Sequence, residues 1–325
     1  FFGGGTDYPA WYKQHGGSVL ASSINKYCYV SCRYMPPFFK HKYRLAYSKV
    51  ENCLNLEDIE HPAMREALRH VGILDGVEIH YDADVPARSG IGSSSSLMVG
   101  LLHVLYALKG NVPEQYQLAC DSIYLEQTVL KETVGCQDQI SAAVGGFNRI
   151  DFRPDEQHNV NPIVLTNDQM SELNNHLMLF FTGISRTASE IAKSYMQDLE
   201  NKERELHLMA EMVEEGVAIL RSNRDLIQFG QLLNEAWKVK RSLGSRISNP
   251  VIDEIYERSV TAGAIGGKIT GAGGGGFLLL FVPPDRRKEV RSDLRPLIHV
   301  PFKLEDSGTK IIFLEQDEDY SDSQL

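Results

Sequence analysis

The sequence lacks the features that mark several large classes of protein. None of its apolar runs approaches the ~18 residues that a membrane-spanning helix needs, and the longest, residues 277–282, has the length of a strand. Lys and Arg are not clustered, and 33 of them against 43 Asp and Glu leave a net charge of −10. Because a nucleic-acid binder needs a basic face, no nucleic acid is expected as a partner. Because no apolar run is long enough to span a bilayer, no membrane is expected either.

Cysteine is also scarce, and its spacing is not that of a disulfide framework. The five cysteines are an odd number scattered over the first half of the chain, which predicts reduced thiols and a cytoplasmic protein. No signal peptide is recognisable. Because the chain opens on Phe1 and not on Met, we expect the natural protein to have a piece upstream of it.

Glycine is ordinary in amount but uneven in position. Of the 27 glycines, thirteen fall in three short windows, at residues 3–5, 90–92 and 263–276. Clustered glycine is typical of places where the backbone turns tightly or approaches a ligand closely. The three windows are therefore the first candidates for a functional site.

The second window lies in a segment that predicts a phosphate site. Residues 77–85 alternate apolar and polar side chains, as a half-buried strand does, and residues 86–96 (PARSGIGSSSS) then lead into an apolar helical run. Serines at a helix start add hydroxyls to the free N–H groups and to the positive end of the helix dipole. The alternative is a buried helix that is merely capped by serine.

Two familiar nucleotide motifs do not fit. The Gly267-Lys268 pair has Ala262 and Ile269 at positions where Walker A needs Gly and Ser or Thr. Residues 271–276 match GxGxxG literally, but a strand pattern follows them, whereas the dinucleotide motif opens a helix. We interpret this run as a loop that packs against another loop or a ligand. A nucleotide-dependent oxidoreductase, the alternative, depends on that literal match alone.

Two carboxylates complete the set of candidate residues. Glu126 lies in an amphipathic helical pattern, and Asp138 follows Gly135 just before another helical segment. Taken alone, either residue is more typical of a surface acid. Near a phosphate loop, one carboxylate can hold Mg²⁺ and the other can accept a proton from an attacking hydroxyl.

The order of strand and helix patterns predicts a mixed α/β fold of the α+β type. The polar segment 151–162 contains two prolines, and we place a domain boundary there, with domains at residues 1–158 and 159–325. Near the C-terminus, strands are predicted around residues 299–304 and 309–315.

Three of these motifs resemble those of the GHMP kinases, named for galactokinase, homoserine kinase, mevalonate kinase and phosphomevalonate kinase. The family has a GxxxDY-type segment, a PxxxGxGSSA(A/S) phosphate loop and a KxTGAGxGG loop, which match residues 3–8, 86–96 and 268–276. In galactokinase-like members a helical Glu precedes the Asp of a GxxDQ motif by twelve residues. Glu126 and Asp138 have the same separation.

The resemblance implies a two-domain fold, with an N-terminal domain like ribosomal protein S5 domain 2, a ferredoxin-like C-terminal domain, and ATP and Mg²⁺ between them. It implies that Asp138 is the general base and that Ser94 and Glu126 are the Mg²⁺ ligands. The residues implied to bind the ATP phosphates are Pro86, Arg88, Ser89, Gly90, Ile91, Gly92, Ser93, Ser94, Ser95, Ser96, Gly271, Gly273 and Gly274. Those implied to bind the substrate are Gly5, Thr6, Asp7, Tyr8, Asp138 and Arg186.

Departures from the galactokinase pattern narrow the choice of substrate within the family. Gly4 and Gly5 replace the Glu and His of GEHTDY, while GGGTDYP, PARSGIGSSSS and GGFNRIDF look most like the D-glycero-D-manno-heptose 7-phosphate kinases. The resemblance implies phosphorylation of the anomeric hydroxyl of a sugar phosphate by a monomer or homodimer. The candidate cations for the sugar's own phosphate are Arg186, Arg149, Lys13 and Arg88. The alternatives are a C1 kinase for fucose, galactose or mannose, and a non-catalytic sensor of sugar and ATP.

Overall fold

The computed structural model describes residues 1–87, 89–184, 191–192, 199–222 and 225–315. Its strands are β1 (Gly17–Ile24), β2 (Cys28–Tyr34), β3 (Tyr43–Ala46), β4 (Val50–Cys53), β5 (Val77–Ala83), β6 (Phe147–Phe152), β7 (His158–Pro162), β8 (Leu177–Phe181), β9 (Gly266–Ile269), β10 (Phe277–Phe281), β11 (Ile298–Val300) and β12 (Leu304–Glu305). Its α-helices are α1 (Pro9–His15), α2 (Pro62–Val71), α3 (Ser93–Leu108), α4 (Gln115–Tyr124), α5 (Gln137–Val144), α6 (Asn167–His176), α7 (Glu203–Arg221), α8 (Ile227–Ser242), α9 (Pro250–Thr261) and α10 (Arg287–Asp293).

The N-terminal half is built on two four-stranded sheets and a central helix. The strand orders are β12-β1-β6-β7 and β2-β5-β3-β4. Helix α3 packs against β2, and Met98, Leu101, Leu102 and Leu105 on it are fully buried. The apolar run after the serines is therefore the central helix that its composition predicted, since a helix that is apolar on most sides must be covered on most sides.

The C-terminal half has the predicted ferredoxin-like topology. Its antiparallel sheet has the order β11-β8-β10-β9, and helices connect β8 to β9 and β10 to β11. Numbered along the chain, these strands lie in the order 4-1-3-2, the arrangement of a β-α-β-β-α-β unit. Strands β8 and β10 are the apolar runs 177–181 and 277–281, and they form the middle of the sheet, where burial is deepest.

The end of the described chain returns to the N-terminal half. Strand β12 pairs with β1, and the Thr309 N–H donates to the carbonyl oxygens of Ala142 and Ala143 at 3.0 and 3.3 Å. The strand predicted at residues 309–315 is wrong, because helix-end carbonyls take the N–H that would begin a strand ladder. Strand β7 also crosses the predicted boundary at residue 158, so the division into domains at that point stays a prediction.

The structure also describes the apolar helices and the cysteines that were considered above. In the described part of the chain, no helix is both long and apolar enough to cross a membrane. All five cysteines are free thiols.

Candidate active site

The phosphate-loop segment forms the N-terminal end of helix α3. Gly92 is the N-cap residue, with a φ of 73°, and its carbonyl accepts the Ser96 N–H at 2.8 Å. The N–H groups of residues 93–95 precede this first helical bond and have no partner within the helix. Residues 90–92 and Ser96 line a cavity of about 840 Å³, so the positive end of the helix faces open space.

The third glycine window holds the phosphate loop in place. A Cβ atom on Gly271 would lie 2.6 Å from the Gly90 carbonyl oxygen, and one on Gly276 would lie 2.0 Å from the Ser89 carbonyl oxygen. Only glycine permits these contacts between two backbones. Gly273 and Gly274, also predicted to bind ATP, pack instead against Ile247, whose carbonyl accepts the Gly274 N–H at 2.8 Å.

We expect Gly271→Ala to weaken ATP binding at least tenfold. The added Cβ would force the two loops apart, and overpacking of this kind costs about 1–3 kcal/mol of stability. Isothermal titration with ATP and thermal melting measure the two effects. Gly110→Ala is the matched control, because Gly110 has a similar φ of 73° but no neighbouring atom within 4 Å of its Cβ position. Equal loss of affinity in both variants would contradict the bracing contact.

Asp138, the predicted base, lies in the first turn of α5 and lines the same cavity. Its carboxyl group packs under the phosphate loop, where a Cβ on Gly92 would be only 3.1 Å from Asp138 Cγ. Burial, and then the nearby Asp7 carboxylate, raise the pKa of Asp138 to about 6, while Lys240 and Lys268 oppose the shift. The phosphate loop and the candidate base are thus brought together.

Asp7 lies behind this site and not on its surface. The side chain is 1% exposed; one carboxylate oxygen accepts the Gly5 N–H at 2.9 Å and the other accepts the Gln137 N–H at 3.4 Å. Asp7 therefore anchors the start of the helix that carries Asp138. Burial raises the pKa of Asp7, and these N–H groups oppose the shift.

The other substrate residues expected in the first motif have similar positions. Thr6 is buried, and its hydroxyl oxygen lies 2.9 Å from each of the carbonyl oxygens of Gly3 and Ser18, which share its one O–H donor. Gly5, Thr6, Asp7 and Tyr8 do not line the cavity, whereas Gly4 does. The structure places these four residues in the wall behind the site, with Gly4 at its surface.

Glu126 pairs with Ser95, not with Ser94. Glu126 lies in a π-helical turn after α4, and its Oε2 atom accepts bonds from Ser95 Oγ, at 3.0 Å, and from the Gln139 amide. Ser94, which the resemblance implies as a Mg²⁺ ligand, is exposed, and it is Ser95 that the structure places beside Glu126. Burial raises the pKa of Glu126 to about 7.

Ser95 and Glu126 supply oxygens of the kind that Mg²⁺ prefers, although they are hydrogen-bonded to each other and do not line the cavity. Adjacent ligands of an octahedral ion with bonds of 2.0–2.1 Å are about 3.0 Å apart, which matches the separation of these two atoms. Both donors are hard oxygens. Gln139 Oε1, beside them, is buried without a hydrogen-bond partner among the described residues.

Among the described residues, four lysines line the cavity, namely Lys26, Lys240, Lys268 and Lys310, and none of them was predicted to hold the sugar's phosphate. Lys240 is on α8, and Lys268 is on β9. Arg149 pairs with Asp151 at 2.7 Å and with Glu214 at 2.6 Å, and Lys13 pairs with Glu156 at 2.9 Å. Neither of these two lines the cavity, and Arg88 and Arg186 lie outside the described residues.

The sequence marks Lys268 as a candidate site residue but does not mark Lys240. Lys268 opens the third glycine motif, which singles it out. Lys240 has no such marker, because a lysine in an amphipathic helix is usually solvated. Only the packing of α8 against β9 shows that it is buried.

Comparison with known proteins identifies the family. The GHMP kinases N terminal domain matches residues 59–146, and the GHMP kinases C terminal domain matches residues 196–296. The D-glycero-alpha-D-manno-heptose 7-phosphate kinase of Campylobacter jejuni is 32% identical over 67% of this chain and 64% of its own length. The bifunctional fucokinase/GDP-fucose pyrophosphorylase of Arabidopsis thaliana is 27% identical over 94% of this chain and 31% of its own length.

The fold is also similar to that of a solved kinase structure. A D-glycero-D-manno-heptose 1-phosphate kinase from Bacteriodes thetaiotaomicron superimposes with a TM-score of 0.78 over 96% of both chains, at 23% identity. The chain spans just under two thirds of the Campylobacter relative and about a third of the Arabidopsis one. With both family domains in the predicted order around the glycine loops and carboxylates described above, this chain belongs to the GHMP kinases.

Proposed function

We propose that this protein transfers the γ-phosphoryl group of ATP to the anomeric hydroxyl of a sugar phosphate, D-glycero-D-manno-heptose 7-phosphate. The observation that carries the proposal is the position of Asp138, which faces the cavity directly beneath the helix end formed by Gly92. A base at that point lies where an acceptor hydroxyl would meet the terminal phosphate. The similarity to the Campylobacter heptose 7-phosphate kinase supports the choice of sugar.

In this mechanism the anomeric oxygen forms a bond to the γ-phosphorus as the bond from phosphorus to the ADP oxygen breaks. The hydroxyl proton passes to Asp138, and ADP leaves. The N–H groups of residues 93–95 hold the phosphates, and the loop at Gly271 keeps them in position. Phosphoryl transfer depends mainly on such positioning and on stabilisation of charge.

Ser95 and Glu126 would hold Mg²⁺ at the edge of the phosphate site. When bound, the ion would offset negative charge on the ATP phosphates. Gln139 donates to Glu126 and keeps its carboxylate turned toward Ser95.

The pH dependence of kcat/KM should follow the ionisation of the Asp138 carboxyl group. Its carboxyl must be ionised to accept a proton, so kcat/KM should fall about tenfold per pH unit below about pH 6, the raised pKa of Asp138. Initial rates between pH 4.5 and 9 at subsaturating sugar measure this limb. A kcat/KM that stays constant down to about pH 4.5, as expected for an ordinary aspartate pKa of about 3.9, would contradict the buried position of the base.

The sugar is tested by ADP release across a panel of acceptors. We expect turnover with D-glycero-D-manno-heptose 7-phosphate and a product with a second phosphate at C1 in ³¹P NMR. Fucose, galactose, mannose and mevalonate belong in the panel, fucose because the Arabidopsis relative aligns with nearly the whole chain. Preference for an unphosphorylated sugar would overturn the choice of substrate. Binding without ADP release for every acceptor would indicate a sensor.

A further inference from the structure

Lys240 is a buried ammonium group at the meeting point of the site. It is 4% exposed, and its Nζ donates to the Gly271 carbonyl, on the loop that braces the phosphate loop. The Nζ atom also lies 4.0 Å from the position of a Cβ on Gly4, which lines the same cavity. The group therefore lies between the Gly271 loop and the first glycine window.

The Lys240 ammonium group has N–H donors that no described residue accepts. Among the described residues no carboxylate oxygen lies within 4 Å of Lys240 Nζ, and the Gly271 carbonyl takes one of its three N–H bonds. Asp7 and Asp138 interact with it at longer range, and burial, together with Lys240, lowers the pKa of the neighbouring Lys268 well below its usual value. Burying a charge without a partner is costly, so a site of this kind is suited to an anion that arrives from the cavity.

Two anionic groups could reach it. The phosphate on C7 of the sugar is at the far end of the carbon chain from the anomeric hydroxyl. The γ-phosphoryl group must lie beside that hydroxyl, and hence beside Asp138, during transfer. Because Lys240 lines the same cavity as Asp138 and donates to the bracing loop, its position matches the γ-phosphoryl group.

We propose that Lys240 is a catalytic residue whose ammonium group contacts the γ-phosphoryl oxygens as they move from ADP to the acceptor. This inference rests on the proposed function as a kinase, but not on the identity of the sugar. The contact is strongest in the transition state, so it lowers the barrier more than it tightens binding. Removing one such donor typically lowers kcat by about 10²–10³-fold.

The test compares Lys240→Met and Lys240→Arg with wild type. We expect Lys240→Met to lower kcat about 10²-fold, with KM values for ATP and sugar changed less than threefold, and Lys240→Arg to restore part of the rate. Lys238→Met is the matched control, since Lys238 is on the same helix, 58% exposed and paired with Glu235 at 2.7 Å. Its kcat should equal that of wild type.

A binding measurement separates this inference from the choice of substrate. ADP with Mg²⁺ and aluminium fluoride mimics the transferring phosphoryl group. We expect Lys240→Met to bind that complex about 10²-fold more weakly and ADP alone with unchanged affinity. If heptose 7-phosphate is inert, the same assays with the acceptor that turns over still test Lys240.

Two results would overturn the assignment. A rise in KM for a phosphorylated sugar at constant kcat would mean that Lys240 holds the sugar's own phosphate. Equal weakening of ADP and of the aluminium fluoride complex, with a lower melting temperature, would mean that Lys240 only supports the Gly271 loop.

Discussion

Asp138→Asn is expected to lower kcat by about 10²–10⁴-fold, the usual contribution of a general base. The amide keeps the shape of the side chain under Gly92, so the binding of ATP and sugar should change little. Steady-state rates and equilibrium titration of both ligands measure the two quantities. Asp168→Asn, at an exposed position, is the control and should leave kcat unchanged.

The same variant should be at least as stable as the wild type at pH 8. Burial and Asp7 raise the pKa of Asp138 to about 6, so the folded state binds this proton more tightly than the unfolded state does. The ionised carboxylate therefore opposes folding, increasingly from about pH 4 to pH 6 and constantly above that. Asn removes that cost, which is the pattern expected when a group is kept for function at the expense of stability.

The results that contradict the base assignment are distinct for rate and stability. Turnover near the wild-type level, with sugar still bound, would mean that Asp138 is not the proton acceptor. A large fall in the free energy of unfolding at pH 8, measured by urea denaturation, would mean that its ionised carboxylate stabilises the fold.

Gly135→Ala is expected to cost 3 kcal/mol or more, at the upper end for overpacking, and to abolish most activity. A Cβ at this position would lie 1.8 Å from Asp7 Oδ2. Asp7 cannot retreat easily, because Gly5 and Gln137 donate to its carboxylate and Cys136 N–H donates to its carbonyl at 3.1 Å. The start of α5 would therefore shift, and Asp138 with it.

Chemical denaturation and kcat measure this effect together. Thr133→Ala, in the same loop, adds no atom and serves as the control for a general disturbance of the loop. A Gly135→Ala protein that melts and turns over like the wild type would show that Asp7 does not hold this helix in place.

Much of the site was predictable because its chemistry is local. A phosphate cradle needs consecutive backbone N–H groups at a helix start, and glycines and serines in one short segment encode it. The contact between the second and third glycine windows was also indicated, since a glycine run that leads into a strand needs another backbone to pack against. The ferredoxin-like order of the second half followed from the resemblance and is confirmed by the sheet.

Other features of the site depend on side-chain direction, which sequence spacing alone does not determine. Ser93 to Ser96 are alike in sequence, but a helix turns each by about 100°, so that Ser95 points inward to Glu126 and Ser94 points to solvent. Asp7 belongs to a motif that implies sugar contact, yet two N–H groups draw it into the wall of the site. The strand expected at residues 309–315 was wrong because the end of α5 supplied other hydrogen-bond partners.

By itself, the sequence determined the family and singled out the two glycine loops and the two carboxylates proposed to act at the site, because each is marked by residue types at short, regular spacing. Only the tertiary structure decided which serine meets Glu126, that Asp7 supports Asp138 from behind, and that Lys240 is buried in the cavity. The reason is physical: these properties arise from contacts between segments far apart in the chain, and burial places the Lys240 ammonium group where, among the described residues, no carboxylate lies within 4 Å of it.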